Sequence, residues 1–360
     1  MWAQRSRTKT PCCGSTKLSS SAHRIIASAA LLLVAGPSAG PAPQRLAIYY
    51  GYPSLANGAG GDLEAVVAQL SPYDVIVLGD GLEFAAGDGV HAAHVEHAFT
   101  LRLIARLARS PRRPSVFGYV DLGHTQRLPL DAVVDRVERW AAMGAAGIFF
   151  DEAGYDFGVT RDRQNGAIRA ARARGLRACL NAFQPADVFG DARVPLNPAG
   201  GGNPAGVRSE MSEGDAILIE PFAVGAGAAE TPAALTARIR AAADGRRQFG
   251  SRVFAIAAGG EDDKAAAEFG WWLASAFGLD AYGWSEPGYG AVASTLKWVP
   301  PPQTETALRA AHFVDAEPRF DGNTWRRTTT AGSVVVAAST HRGMLEPRRK
   351  DTPSWNGPTR

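Results

Sequence analysis

Two adjacent carboxylates, Asp151 and Glu152, close the apolar run 147–150. A strand buried on both faces reads as continuous apolar sequence. Acids at its carboxyl end stand where barrel enzymes place their chemistry. A second run, 216–219, ends in Glu220 and is followed by Pro221 and Phe222. Two carboxyl groups flanking one bond are the usual means of hydrolysing a glycoside: one protonates the leaving oxygen and the other acts as nucleophile or base. A carboxyl set among apolar neighbours has its pKa raised, which suits a proton donor. Glu220 is therefore expected to be the general acid and Asp151 the nucleophile or base. Successive strand residues point to opposite faces, so Asp151 and Glu152 cannot both face a substrate. One should face it, while the other orients it or binds a neighbouring loop. The plain alternative is an acidic loop that caps the next helix.

The elements that would position these acids follow one rhythm. Strand-like runs at 46–50, 74–78, 115–120, 147–150, 177–183, 215–220, 252–257 and 280–284 alternate with helix-period segments. Those segments cover 62–70, 96–108, 130–143, 163–174, 231–243 and 263–276, while 185–213 is Gly/Pro-rich and weakly helical at best. Eight alternations over roughly 245 residues fit one α/β domain, a (β/α)8 TIM barrel. A doubly wound open sheet would more often carry a Gly-rich phosphate turn after its first strand. Tyr49-Tyr50-Gly51-Tyr52-Pro53 is not one. The barrel is expected over 44–298, followed by a short C-terminal β extension. That extension is expected as a hairpin within 299–345 with Val334–Val336 as its core, then a disordered polar tail, 346–360.

Residues that follow the strands face the barrel mouth. In order they are Tyr49, Tyr50 and Tyr52; Asp80 and Glu83; Tyr119, Asp121 and His124; Asp151 and Glu152; Asn181; Glu220; Glu261; Trp284 and Glu286. Carboxylates that accept hydroxyl hydrogen bonds, interleaved with rings that stack on a sugar's apolar face, suit a carbohydrate. Tyr50, Tyr52 and Trp284 are expected to stack sugars. Asp80, Tyr119, Asp121, Asn181 and Glu286 are expected to contact them. His91, His94 and His97 recur every third residue, a spacing that permits a metal without being diagnostic of one. Gly259-Gly260 is followed at once by Glu261, Asp262 and Asp263, which would repel a phosphate. No metal and no cofactor is implied.

Composition narrows the class. At 46% hydrophobic residues the 360-residue chain can bury a large core. Its net charge of +3 comes from the first forty residues, which carry five basic residues and no acid. The remainder has 33 basic and 35 acidic residues, so it lacks the basic footprint of a nucleic-acid binder. A basic stretch ending at Arg24, the short apolar run 25–35 and small residues near Gly40 suit a secretory signal over 1–40. That run is too short for a comfortable membrane span, so no stable membrane insertion is expected after cleavage. Cys12 and Cys13 would leave with it. Cys179 then has no partner for a disulfide and is expected to be a small core residue.

The segments Tyr49–Ser54, Gly147-Ile-Phe-Phe-Asp-Glu152, Asn181 and Ile219-Glu220-Pro221 resemble the spherulin-4-like glycoside hydrolases (family 135) and the related endo-α-1,4-polygalactosaminidases (family 114). The likeness covers about 45–290. It implies a secreted or surface barrel hydrolase that cuts galactosamine-containing or N-acetylgalactosamine-containing exopolysaccharide, with Asp151, Glu152 and Glu220 as its essential acids. An N-acetyl group on the substrate could itself assist, steered by Asp151 or Glu152. The segment after the fifth strand and the chain beyond Pro300 lie outside the pattern. The rival from another class is a non-catalytic carbohydrate-binding barrel of a cell-envelope assembly, which would keep the aromatics and tolerate loss of the acids.

Overall fold

A computed structural model of the chain describes residues 40–85, 95–225, 228–259, 263–285, 295–296, 300 and 302–348. All but the last residue of the expected signal, and most of the expected tail, lie outside them. The first six strands are β1 (Gln44–Tyr49), β2 (Val75–Leu78), β3 (Ser115–Asp121), β4 (Gly147–Asp151), β5 (Arg177–Asn181) and β6 (Ala216–Ile219). A two-strand ribbon, β7 (Val224–Gly225) and β8 (Ala228–Ala229), follows, and then β9 (Arg252–Ala258) and β10 (Ala281–Ser285). Leaving the ribbon aside, the other eight close a parallel barrel in the order β1-β10-β9-β6-β5-β4-β3-β2. This is the expected (β/α)8 barrel.

Helices α1 (Leu63–Leu70), α2 (His97–Leu107), α3 (Leu130–Ala142), α4 (Arg161–Ala173), α5 (Pro185–Phe189), α6 (Pro232–Phe249) and α7 (Lys264–Phe277) lie between the strands. Asp62 caps α1 by accepting from the Glu64 and Ala65 amides. Thr231 caps α6 with Pro232 in the first turn, where its missing N–H costs nothing. α6 runs past the expected end at residue 243 to Phe249 and stops at Gly250, which is left-handed.

Alternation along the strands divides the core in two. Leu46, Ile48, Val75, Val77, Phe117, Phe149, Cys179, Leu218, Phe254 and Ile256 fill the barrel interior. Alternate residues such as Ile76, Ile148, Ile217 and Tyr282 pack outward against the helices. Cys179 is thus the small core residue expected of it, and burial pushes its thiol well up.

The C-terminal extension departs from the expected hairpin. It opens with helix α8 (Pro302–Arg309) and continues as four antiparallel strands, β11 (Arg319–Phe320), β12 (Thr324–Thr329), β13 (Gly332–Ala337) and β14 (Arg342–Pro347), paired in that order. β14 therefore occupies part of the span expected as tail. Val334 and Val336 do form the inner face, with Trp325. That face and β14 cover α7: Gly343 approaches Trp272 so closely that a Cβ would fall 2.1 Å from its ring. α7 is thus enclosed between barrel and sheet, which explains its adjacent buried tryptophans, Trp271 and Trp272. Arg45 of β1 ties α8 down through a buried ion pair with Glu305.

Candidate active site

Asp151, Asn181 and Glu220 end or follow strands β4, β5 and β6, which are neighbours in the barrel. Each continues the inward-facing set of its strand, after Phe149, Cys179 and Leu218 respectively. The Asn181 side-chain amide donates to Asp151 Oδ1 at 2.8 Å and to Glu220 Oε2 at 2.7 Å. One nitrogen thus holds both carboxylates, and those two oxygens lie no more than 5.5 Å apart.

Asp151 Oδ1 also accepts from the Glu152 backbone amide at 2.9 Å. The Tyr119 hydroxyl supplies a further hydrogen bond to the same carboxylate. Desolvation pushes the Asp151 pKa up; the Asn181, Glu152 and Tyr119 hydrogen bonds oppose the rise, and the Glu152 charge adds to it. Tyr119 is itself pushed far up by burial and by the Asp151 and Asp121 carboxylates, so it stays a donor. Tyr50 meets Tyr119 edge-on at 5.2 Å. The two half-buried rings close the top of the barrel interior and form the floor beneath the acids.

Glu152 has a different task from Asp151. Its backbone is left-handed, with φ of 51°, a conformation that costs an ordinary residue ~1–3 kcal/mol. The carboxylate reaches the β3–α3 loop, accepting from the Thr125 amide at 3.0 Å and from the Thr125 hydroxyl. Gly123 leaves room for this: a Cβ there would lie 2.4 Å from Glu152 Cβ. Glu152 is the loop-holding member of the pair, and Asp151 is the one that faces the mouth.

The other expected contacts divide. Asp121 points inward beside Asp151 but is fully buried, and only the Gln126 backbone amide offsets the cost of its charge with a hydrogen bond. Burial and the Glu152 and Asp151 charges push its pKa up to about 6. It is a buried neighbour of the acids rather than an exposed sugar contact. Asp80 accepts from Gln126 at 2.8 Å and pairs with Arg136 at 2.5 Å. Arg136 also lies 3.4 Å from Glu83, a buried acid whose pKa burial pushes up to about 8. Asp80 therefore belongs to an ion-pair cluster.

Two stacking expectations need correction. Trp284 does not face the mouth: the inward positions of β10 are Ala281, Gly283 and Ser285, and Trp284 packs outward, 7% exposed. Its ring edge would lie 2.4 Å from a Cβ on Gly259, so it is core between strand and helix layers. Tyr52 likewise packs, half-buried, against the outer core. Tyr49 is buried there too, and its hydroxyl donates to the Tyr52 carbonyl. Glu286, Glu261, Gly260, His91 and His94 lie outside the described residues. Among the described residues no group of His, Cys, Asp or Glu could hold a metal ion. His97 Nδ1 instead lies 3.0 Å from the Leu82 carbonyl oxygen.

The sequence reading passed over three features of the mouth. The first two are Phe157, in the β4–α4 connection, and Phe183, two residues beyond Asn181. Phe157 lies 5.5 Å from the His124 ring and 5.3 Å from Phe183. An aromatic directly past an inward Asn at a strand end was the signal available. The third is Ser285, an inward residue whose hydroxyl is buried without a described partner, as is Asn181 Oδ1.

No family model matches the sequence, and no curated protein does. Among solved structures, the chain is similar to the glycoside hydrolase domain of PelA from Pseudomonas aeruginosa, at 13% identity and a TM-score of 0.42, covering 71% of this chain and 100% of that domain. It is also similar to the HpcH/HpaI aldolase from Desulfitobacterium hafniense DCB-2, at 13% identity and a TM-score of 0.38, covering 68% of this chain and 86% of that one. A third is Haloferax volcanii malate synthase in a lead(II) complex, at 11% identity and a TM-score of 0.39, covering 67% and 69%. At these scores the likeness decides nothing about chemistry.

Proposed function

We propose that this chain is an exported glycoside hydrolase that cuts inside an amino-sugar polysaccharide, with Asp151 as nucleophile and Glu220 as general acid and base. The observation that carries the reading is the Asn181 amide, which holds both carboxylates at one point of the mouth. Retaining glycosidases keep their carboxyl groups about 5–5.5 Å apart, whereas inverting ones need about 6.5–9.5 Å to admit a water. The oxygens that share the Asn181 amide lie at most 5.5 Å apart, a spacing compatible with retention. The Asn181, Glu152 and Tyr119 hydrogen bonds to the Asp151 carboxylate oppose the pKa rise that burial causes. This favours an anionic nucleophile, and its desolvation keeps it reactive.

Glu220 then gives its proton to the glycosidic oxygen while Asp151 bonds to the anomeric carbon. Glu220, now ionised, takes a proton from water; the resulting attack frees Asp151 and leaves the anomeric configuration unchanged. Tyr119 and Asn181 hold Asp151, and Glu152 positions the loop beside them. The galactosamine-containing substrate class rests on the sequence resemblance, and export rests on the basic-then-apolar stretch of 1–40. The test is a reducing-end assay of the purified protein against a panel of exopolysaccharides that includes galactosaminogalactan. Release of sugar from an amino-sugar polymer, absent from neutral glucans, is expected. A folded protein that releases nothing from any of them would contradict the reading.

A further inference from the structure

The rings of His124, Phe157 and Phe183 come from three consecutive connections, those following β3, β4 and β5. These connections leave the same end of the barrel that carries Asp151 and Asn181. The rings form a row, with centroids 5.5 and 5.3 Å apart and planes tilted by 33° and 51°. Phe183 is 41% exposed although it follows the buried residues Asn181 and Ala182. Exposed apolar surface rimmed by polar groups marks a binding surface.

We infer that His124, Phe157 and Phe183 are a stacking subsite that holds the polysaccharide beside the point of cleavage. The inference rests on the glycosidase reading and extends it to the length of chain engaged. Phenylalanine has no hydrogen-bonding group, so its partner must offer an apolar face, as the C–H face of a sugar ring does. The row is longer than one ring, so it suits a polymer rather than a single sugar. It is also continuous with the catalytic pair through the two-residue step from Asn181 to Phe183. Its outer end is fixed by the catalytic loop itself: Glu152 grips Thr125, the residue after His124. Glu152 thereby positions the row as well as the mouth.

The test compares the parent with Phe183→Ala and Phe157→Ala on two substrates, galactosaminogalactan and a chromogenic monosaccharide glycoside that fills only the cleavage point. Phe183 is exposed, so F183A should fold as the parent does, and near-UV circular dichroism checks this. For F183A, KM on the polymer should rise about tenfold with kcat nearly unchanged, the effect of one lost contact of about 1.4 kcal/mol. The small glycoside should show no change, and Phe183→Trp should restore polymer KM. Equal losses on both substrates, or no loss on the polymer, would overturn the inference. Affinity electrophoresis in galactosaminogalactan gels separates this from the hydrolase reading. If the parent is retarded and F183A is not, the row stands even where no sugar is released. If both migrate alike, the row is not a binding site.

Discussion

Asp121→Asn is expected to stabilise the protein above neutrality and to leave it unchanged in acid. Asp121 is fully buried and lies beside two other acids, and the Gln126 backbone amide only partly offsets the cost of its charge. Its pKa is about 6 in the folded chain, against about 3.9 in an unfolded one. Below about pH 3.9 both states hold the proton, and the carboxyl makes no pH-dependent contribution. Between that value and about 6 the folded state keeps a proton that the unfolded state has lost, so stability falls as pH rises. Above about pH 6 the whole cost is present. A gap of about two pH units at ~1.4 kcal/mol each gives at most ~3 kcal/mol. Asparagine has the same shape and cannot ionise. The difference between variant and parent should therefore grow by up to ~3 kcal/mol from pH 4 to pH 7.5. Urea unfolding at a series of pH values, with an unchanged m-value, measures it. A difference that stays flat across that range, or that turns increasingly against the variant as pH rises, refutes the assignment of a buried, unfavourably ionised carboxyl.

Three further outcomes are expected. Glu305→Ala, which strands Arg45 without its buried partner, should cost about 3–5 kcal/mol in chemical denaturation while leaving kcat unaltered. Asn181→Leu should remove two hydrogen bonds to carboxylates worth ~1.5–3 kcal/mol each, lowering kcat/KM by roughly 10²–10⁴ in a reducing-end assay. Trp284→Ala should act on stability, by about 3–5 kcal/mol, and leave polymer KM near the parent value; a selective rise in KM would restore Trp284 to the mouth.

Much of the fold was legible because its barrel strands are apolar on both faces and helices such as α1 and α6 carry clear caps. That same continuity hid the phase of each strand. In Ala281-Tyr-Gly-Trp284-Ser nothing in the sequence says which set faces inward, and the larger ring was assigned to the mouth when it fills the outer core. The pair at 151–152 escaped this ambiguity: only one of two neighbours can face inward, and the structure turns Glu152 away through a left-handed residue. Asp80 and Arg136 lie far apart in sequence, so their pairing could not be anticipated. β14 was missed because none of its residues is fully buried, so it carries no clear apolar signal. Phe157 and Phe183 sit in connections without periodicity, and only the barrel brings them to one edge.

Replacing Asp151 by Asn and Glu220 by Gln, singly, and measuring sugar released from galactosaminogalactan bears on the whole reading at once. Each variant keeps a group that can accept the Asn181 hydrogen bond, so the mouth should keep its shape while losing its charge or its proton. Both variants should release at least ~10³-fold less than the parent, since each removes a group acting in the transition state, and both should still bind the polymer. Release by both variants at the parent rate would contradict the assignment of the pair as catalytic.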